Sequence, residues 1–248
     1  MLKKYLIYLP LILVSLLFLC YCHMANRPAD PSSDIHTVTE IPSDHIPPAA
    51  SSSPAPRLYA SAACVMDADS GRILYGKSEA SPLPMASTTK IMTCILALEN
   101  GNLEDPVTFS SKAASMPKVR LGAGKGKTFL LGDLLYSLML ESHNDTAVAI
   151  AEHIGDSVEG FAAMMNAKAS ELGMNQTNFV TPNGLDAEGH ASTPVDMCRL
   201  ASYACTNQNF LELIRTPSKT IRETSGKGSF SLTNHDAFLT SYKGAIGI

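Results

Sequence analysis

The stretch Pro82-Leu83-Pro84-Met85-Ala86-Ser87-Thr88-Thr89-Lys90-Ile91-Met92-Thr93-Cys94-Ile95-Leu96-Ala97-Leu98 decides how the chain is read. Pro82 and Pro84 forbid a helix before Ala86, and from Ser87 the pattern predicts a helix closed by Asn100-Gly101. After its first turn this helix is apolar on nearly every side, so it belongs at the centre of a core. A polar first turn on a buried helix, delivered by a proline-stiffened loop, is the first place to look for chemistry. Ser87 and Lys90 are three residues apart and share one helix face. A serine hydroxyl is a weak nucleophile unless a base lies within hydrogen-bond reach. A lysine amine can be that base where burial disfavours its charged form, and the helix N-terminus offers N–H donors to a developing oxyanion. The bland alternative is a capping serine and a surface lysine on an ordinary amphipathic helix. Ser-x-x-Lys alone does not decide between them.

Outward from that helix, Ala60 to Asp67, the turn Asp69-Ser70-Gly71 and Arg72 to Tyr75 read as a β-hairpin. On the C-terminal side, Gly132-Asp133 caps a helix through Leu134 to Leu140. That helix ends in the polar break Glu141-Ser142-His143-Asn144-Asp145, and helix signals resume from Ala147 to Ile154, stopped by Gly155. A further helix is expected from Val158 to Leu172, with Phe161, Met165 and Leu172 on one stripe. Thr177 to Val180 is a short strand candidate, followed by the turn Thr181-Pro182-Asn183-Gly184. Thr193-Pro194-Val195-Asp196 has the cap, the proline and the acid of a helix start. Helices follow to about Ala204 and from Phe210 to Ile214; the last thirty residues alternate polar and apolar in short pieces.

The 248 residues are 45% hydrophobic, with 19 Lys and Arg against 23 Asp and Glu. A net charge of −4 without clustered basic residues argues against nucleic acid as a partner, and the apolar content argues against global disorder. Lys3 and Lys4 precede the apolar run Tyr5 to Cys22, the layout of an export signal over residues 1–25 or of an uncleaved membrane anchor. Either places the rest of the chain outside the cytoplasm. Residues 26–56 carry seven prolines among Ser, Asp, Thr and Ala, with no apolar period, and read as a disordered tether. The folded domain is expected over 57–248. Cys64, Cys94, Cys198 and Cys205 form no C-x-x-C pair and have no metal-ligand spacing, so they are expected to be buried free thiols.

Ser142-His143-Asn144 lies 55 residues after Ser87, in a loop between two helices. At this point the chain resembles the penicillin-binding superfamily of active-site serine enzymes, whose signature is S-x-x-K, then S-x-N, then K-T-G. More narrowly it is similar to the low-molecular-mass D-alanyl-D-alanine carboxypeptidases. The supporting stretches are Pro84 to Lys90, Ser142 to Asp145, Leu172-Gly173-Met174, Thr177-x-Phe179, Pro182-x-Gly184-Leu185 and His190-x-Ser192-Thr193, in order from Ala60 to Ile248. The resemblance implies an α+β fold of the serine β-lactamase/transpeptidase type: an antiparallel sheet flanked by helices, with a helical subdomain. It implies that Ser87 is the acyl-ester nucleophile and Lys90 its proton acceptor. Ser142 would relay a proton to the leaving D-alanine, and Asn144 would hold the substrate amide and help orient Lys90. The implied partners are peptidoglycan stem peptides ending in D-Ala-D-Ala, with β-lactams as covalent inhibitors and no cofactor or metal. The family usually has a small residue where His143 stands, and His143 is read here as a solvent-facing loop histidine.

The third motif is absent. Gly244-Ala245-Ile246-Gly247-Ile248 looks like the lead-in to K-T-G, and the C-terminal strands of the sheet are expected to be missing from this chain. Three readings stay open. The first is a D-Ala-D-Ala carboxypeptidase. The second is a class A β-lactamase, which needs a deacylating Glu in an E-x-x-L-N context that Glu171-Leu172-Gly173-Met174-Asn175 does not match. The third is a non-catalytic remnant or cell-wall binding module, with apolar surface left uncovered on its helices and residues 57–248 molten or aggregated when alone.

Overall fold

The computed structural model describes residues 56–247, so the expected export segment and, apart from Pro56, the tether lie outside the described residues. The hairpin pairs β1 (Ala63–Met66) with β2 (Ile73–Lys77), antiparallel, in the register Ala63↔Lys77 to Val65↔Tyr75, slipping before Met66↔Ile73. Asp67 closes its turn by accepting from the Ser70 amide at 2.9 Å.

A 3-10 turn, Ala86–Thr89, leads into α1 (Lys90–Asn100), on which every residue from Lys90 to Ala97 is buried. The apolar run after Lys90 makes this helix the hub of the fold. It touches α3 (Leu131–Leu140), α4 (Asn144–Ile154), α5 (Val158–Glu171), α6 (Pro194–Ala204) and α7 (Gln208–Arg215). Burying so many Leu, Ile, Met and Phe side chains, each worth about 1.5–3 kcal/mol, is the main driving force that holds the helices together.

Between α1 and α3 lie β3 (Pro106–Thr108), the short α2 (Ser111–Ala114) and β4 (Thr128–Leu130). β3 pairs β4 through Val107↔Phe129. The Phe129 ring stands edge-on to Phe109 at 5.8 Å and to Phe230 at 5.7 Å. Phe230 belongs to the last hairpin, β5 (Ser218–Arg222) with β6 (Ser229–Thr233), whose alternation buries Ile221 and Leu232. A short helix, α8 (Phe238–Ser241), follows.

The caps of α5, α6 and α7 are side-chain caps. Ser157, Thr193 and Asn207 accept from the amides of Gly160, Asp196 and Phe210, each satisfying an otherwise orphaned donor. Four expectations need correction. Helix α3 begins at Leu131, directly from β4, with Asp133 inside its first turn instead of capping it. Helix α4 begins at Asn144, so the polar break is only Glu141–His143. Thr177–Val180 forms one bridge, Asn178↔Ala191, because side chains take the amides that a strand would use: Asn166 Oδ1 accepts from Phe179 N and His190 Nδ1 from Val180 N. All four described cysteines are free, but only Cys94 is buried, the other three being partly exposed. Helices α1 to α7 leave no large hydrophobic side chain exposed; exposed ones instead include Val65, Ile73 and Leu74 on the first hairpin. No helix among the described residues is long and apolar enough to cross a membrane.

Candidate active site

The turn before α1 sets the nucleophile's position. Ala86 holds a left-handed φ of 46°, a strained conformation for a residue with a Cβ, and Ser87 follows it into the open. Thr88 fastens the turn by donating from both its amide and its hydroxyl to the Met85 carbonyl. One turn on, Lys90 is 2% exposed. Its Nζ lies 3.0 Å from Ser87 Oγ, 3.0 Å from Asn144 Oδ1 and 2.8 Å from the Asn183 carbonyl oxygen.

Those three partners dictate what a neutral Lys90 must do. A neutral amine has two N–H bonds and one lone pair. The Asn183 carbonyl can only accept. The Asn144 amide is oriented with Oδ1 toward Lys90 because its Nδ2 donates to the Pro117 carbonyl, 3.4 Å away. Both N–H bonds are thereby taken by acceptors, and the lone pair points at the Ser87 hydroxyl. Burial brings the neutral form within reach: it pushes the Lys90 amine down to about 8, so that about a tenth of it is neutral at pH 7.

Asn144 is held by the first residues of α4. Its backbone N–H donates to Val119 O at 2.8 Å. The fully buried Asp145 carboxylate accepts from Leu121 N and Gly122 N, both at 2.8 Å. These bonds fix the 117–122 segment against the start of α4. Ser142 sits in the left-handed region at φ 59° and lines the same cleft as Ser87, but its hydroxyl is not among the partners of Lys90 Nζ. His143 is not solvent-facing: at 8% exposure its Nδ1 bonds Ser137 Oγ at 2.9 Å, which in turn bonds Thr146 Oγ1. The physical reason is that Ser137 Oγ, itself bonded to Thr146, offers the ring a buried partner. Burial holds the His143 imidazole below its ordinary value, so it is neutral near pH 7.

The opposite wall is the loop that follows α5. Thr93 Oγ1 donates to Pro182 O at 2.6 Å, Lys90 reaches Asn183 O, and Gly184 lies against the nucleophile turn. A Cβ on Gly184 would sit 1.8 Å from the Ala86 oxygen, and its φ of 82° is itself glycine territory, so no other residue fits there. Ser87, Ser142, Asn144, Val119, Asn183 and Leu185 are among the residues that enclose a cleft of about 330 Å³. The structure thus brings Ser87, Lys90 and Asn144 into one hydrogen-bonded set and places Ser142 on the rim of the same cleft. Sequence reasoning missed the Asn183 carbonyl, Asp145 and His190 as parts of the assembly. The signals for them, the turn Pro182-Asn183-Gly184 and the Asp after S-x-N, name positions but not partners.

The Ser-x-x-Lys pair at the head of the buried helix, with Asn144 on the same amine, is the arrangement the family resemblance implied, and comparison with known proteins agrees. Residues 49–245 match the family Peptidase S11, described as D-alanyl-D-alanine carboxypeptidase. Among curated relatives, D-alanyl-D-alanine carboxypeptidase DacF of Bacillus subtilis is 35% identical over 194 residues, 76% of this chain and 50% of DacF. A D-alanyl-D-alanine carboxypeptidase of Streptomyces is 31% identical over 78% of this chain and 72% of the relative. Among solved structures, a D-alanyl-D-alanine carboxypeptidase from Mycobacterium tuberculosis superposes with a TM-score of 0.74 at 32% identity, covering 80% of this chain and 75% of that one. The chain belongs to the D-alanyl-D-alanine carboxypeptidase family of serine peptidases. It spans half the length of the Bacillus relative. The fold is accordingly the α+β transpeptidase type that the resemblance implied.

Proposed function

We propose that the chain carries the acylating half of a serine-type D-Ala-D-Ala carboxypeptidase acting on peptidoglycan stem peptides. One observation carries this reading: the Nζ of a buried Lys90 lies 3.0 Å from Ser87 Oγ while its other two partners, Asn144 Oδ1 and Asn183 O, are fixed acceptors, so that the neutral amine turns its lone pair to the hydroxyl. In the proposed reaction, Ser87 Oγ attacks the carbonyl carbon of the penultimate D-alanine while Lys90 Nζ takes the hydroxyl proton. Collapse of the tetrahedral adduct breaks the peptide bond and leaves an ester on Ser87. The terminal D-alanine departs with a proton relayed through Ser142, and water then hydrolyses the ester. Asn144 has two duties, holding Lys90 through Oδ1 and offering its amide to the substrate. A β-lactam ring presents the same acyl group, so penicillins should acylate Ser87 as well.

The same reading assigns residues 1–25 to export or anchoring, 26–56 to a tether, and 57–248 to the catalytic domain. It puts the site outside the cytoplasm, facing the cell wall, with membrane association through the N-terminal segment. The class A β-lactamase reading has less support. Glu171, its candidate base, ends α5, is exposed and pairs with Lys168 at 2.9 Å, away from the cleft lining. The remnant reading is disfavoured by the complete hydrogen-bond set around Lys90. Incubation of the chain with a peptide ending in D-Ala-D-Ala tests the proposal. Release of free D-alanine supports it. A folded chain that binds the peptide without releasing D-alanine favours the binding-module reading.

A further inference from the structure

His190 lies outside the Ser-Lys-Asn set, yet it touches both walls of the cleft. It is 5% exposed. Its Nδ1 accepts from the backbone amide of Val180 at 3.0 Å and, more weakly, from that of Thr181 at 3.4 Å. Amides only donate, so Nδ1 carries no proton, and the neutral ring must carry its hydrogen on Nε2. Nε2 lies 3.0 Å from Thr89 Oγ1, which is buried at the end of the turn that bears Ser87 and adjoins Lys90. The ring thus clasps the 180–184 loop on one side and the nucleophile turn on the other, with the Phe179 ring edge-on at 6.1 Å. The charged group that acts on His190 is Asp186, two residues beyond this loop.

We propose that His190 is a positioning residue: a single imidazole, held in the Nε2–H tautomer, ties the 180–184 loop to Thr89 and so keeps the Asn183 carbonyl seated on Lys90 Nζ. The function of the seat follows from chemistry already described. With Asn183 O in place, one Lys90 hydrogen is occupied and water is kept from the amine. With the loop loosened, water reaches Nζ, the penalty on the ammonium form shrinks, and Lys90 moves toward ordinary lysine behaviour. The inference rests on the proposed Ser87–Lys90 chemistry for its consequence, but not for its test.

Two halves of the clasp can be removed separately in the full chain. Thr89→Val keeps the volume and deletes the hydroxyl; Thr89→Ser restores it. His190→Asn keeps an acceptor near the Nδ1 position and loses the reach to Thr89. Lys90 is then titrated by carbon-13 NMR at Cε, and the tautomer of His190 is read from its nitrogen-15 shifts. The Lys90 midpoint should rise by about one pH unit or more in Thr89→Val and His190→Asn, and return in Thr89→Ser. The His190 shifts in the parent should be those of a protonated Nε2. Penicillin acylation per titrated Ser87 should fall at least about tenfold in the first two variants. An unchanged Lys90 midpoint in both, even with a lowered melting temperature, overturns the proposal and leaves His190 a purely structural residue. A parent with an Nδ1–H tautomer overturns it too. If the parent takes no penicillin at Ser87, the proposed activity fails, while the Lys90 titration still decides the role of His190.

Discussion

Asn144 Oδ1 accepts from Lys90 Nζ at 3.0 Å across 54 positions of sequence. Once the amine is neutral, this bond and the one to Asn183 O occupy both of its hydrogens and leave the electron pair toward Ser87. Replacing Asn144 by an acid tests that polarity. In Asn144→Asp a carboxylate stands beside the amine and favours its charged form, a shift of about 1–3 pH units for an opposite charge in contact. Penicillin acylation of Asn144→Asp at pH 7 should be slower by roughly 10- to 1000-fold, with its pH profile displaced upward by the same number of units. Acylation as fast as the parent's at pH 7 would show that Asn144 does not govern the base.

The parent's own pH profile follows from the Lys90 value of about 8. A base must be unprotonated to accept, so the acylation rate should climb as pH rises through about 8 and level off above it. Two units below that midpoint only about 1% of the amine is neutral, so the rate should be roughly a hundredth of its plateau. A rate flat between pH 6 and 9 would remove Lys90 from the proton-accepting role.

Gly184 gives a test of the cleft's construction. Gly184→Ala sets a methyl carbon 1.8 Å from Ala86 O at a φ of 82°. The loop or the nucleophile turn must move, at a cost of about 1–3 kcal/mol for the left-handed backbone plus the clash. Thermal unfolding should show a lower midpoint, and penicillin labelling of Ser87 should drop together with it. A variant that unfolds and labels like the parent would mean that the two segments are not packed as described.

The thiols should sort by environment. Burial raises the Cys94, Cys198 and Cys205 thiols, Cys198 to about 11. Thiolate is the reactive form, so alkylation by iodoacetamide at pH 8 should be slow at Cys198 and absent at buried Cys94 until the chain is denatured. Peptide mapping after labelling in denaturant should find Cys64, Cys94, Cys198 and Cys205 all alkylated. Fewer would reveal a disulfide.

Much of this was legible in the sequence, for local reasons. Pro82 and Pro84 delay the helix, Thr193 and Pro194 start another, and the apolar run after Lys90 makes α1 central; each signal acts within a few residues. Ser87 and Lys90 were legible from their spacing at the head of that helix, and Ser142 and Asn144 through the family motif. The rest depends on contacts between distant segments. The 93 positions between Lys90 and the Asn183 carbonyl hide a main-chain acceptor that any residue type could supply. His143 looked exposed because loops usually are, yet Ser137, one and a half turns earlier, offers it a buried partner. Likewise the Thr177–Val180 strand failed because Asn166 and His190 claim its amides, which no strand propensity encodes.

The central claim is that Ser87 is the nucleophile and Lys90 its base. Labelling the full chain with a fluorescent penicillin, followed by protease digestion and mass mapping, measures it most directly. The adduct should map to Ser87 and to no other residue, should be lost in Ser87→Ala while the chain remains folded, and should persist without rapid turnover. A penicillin adduct on any other side chain, or a folded parent chain that takes none, would contradict the account.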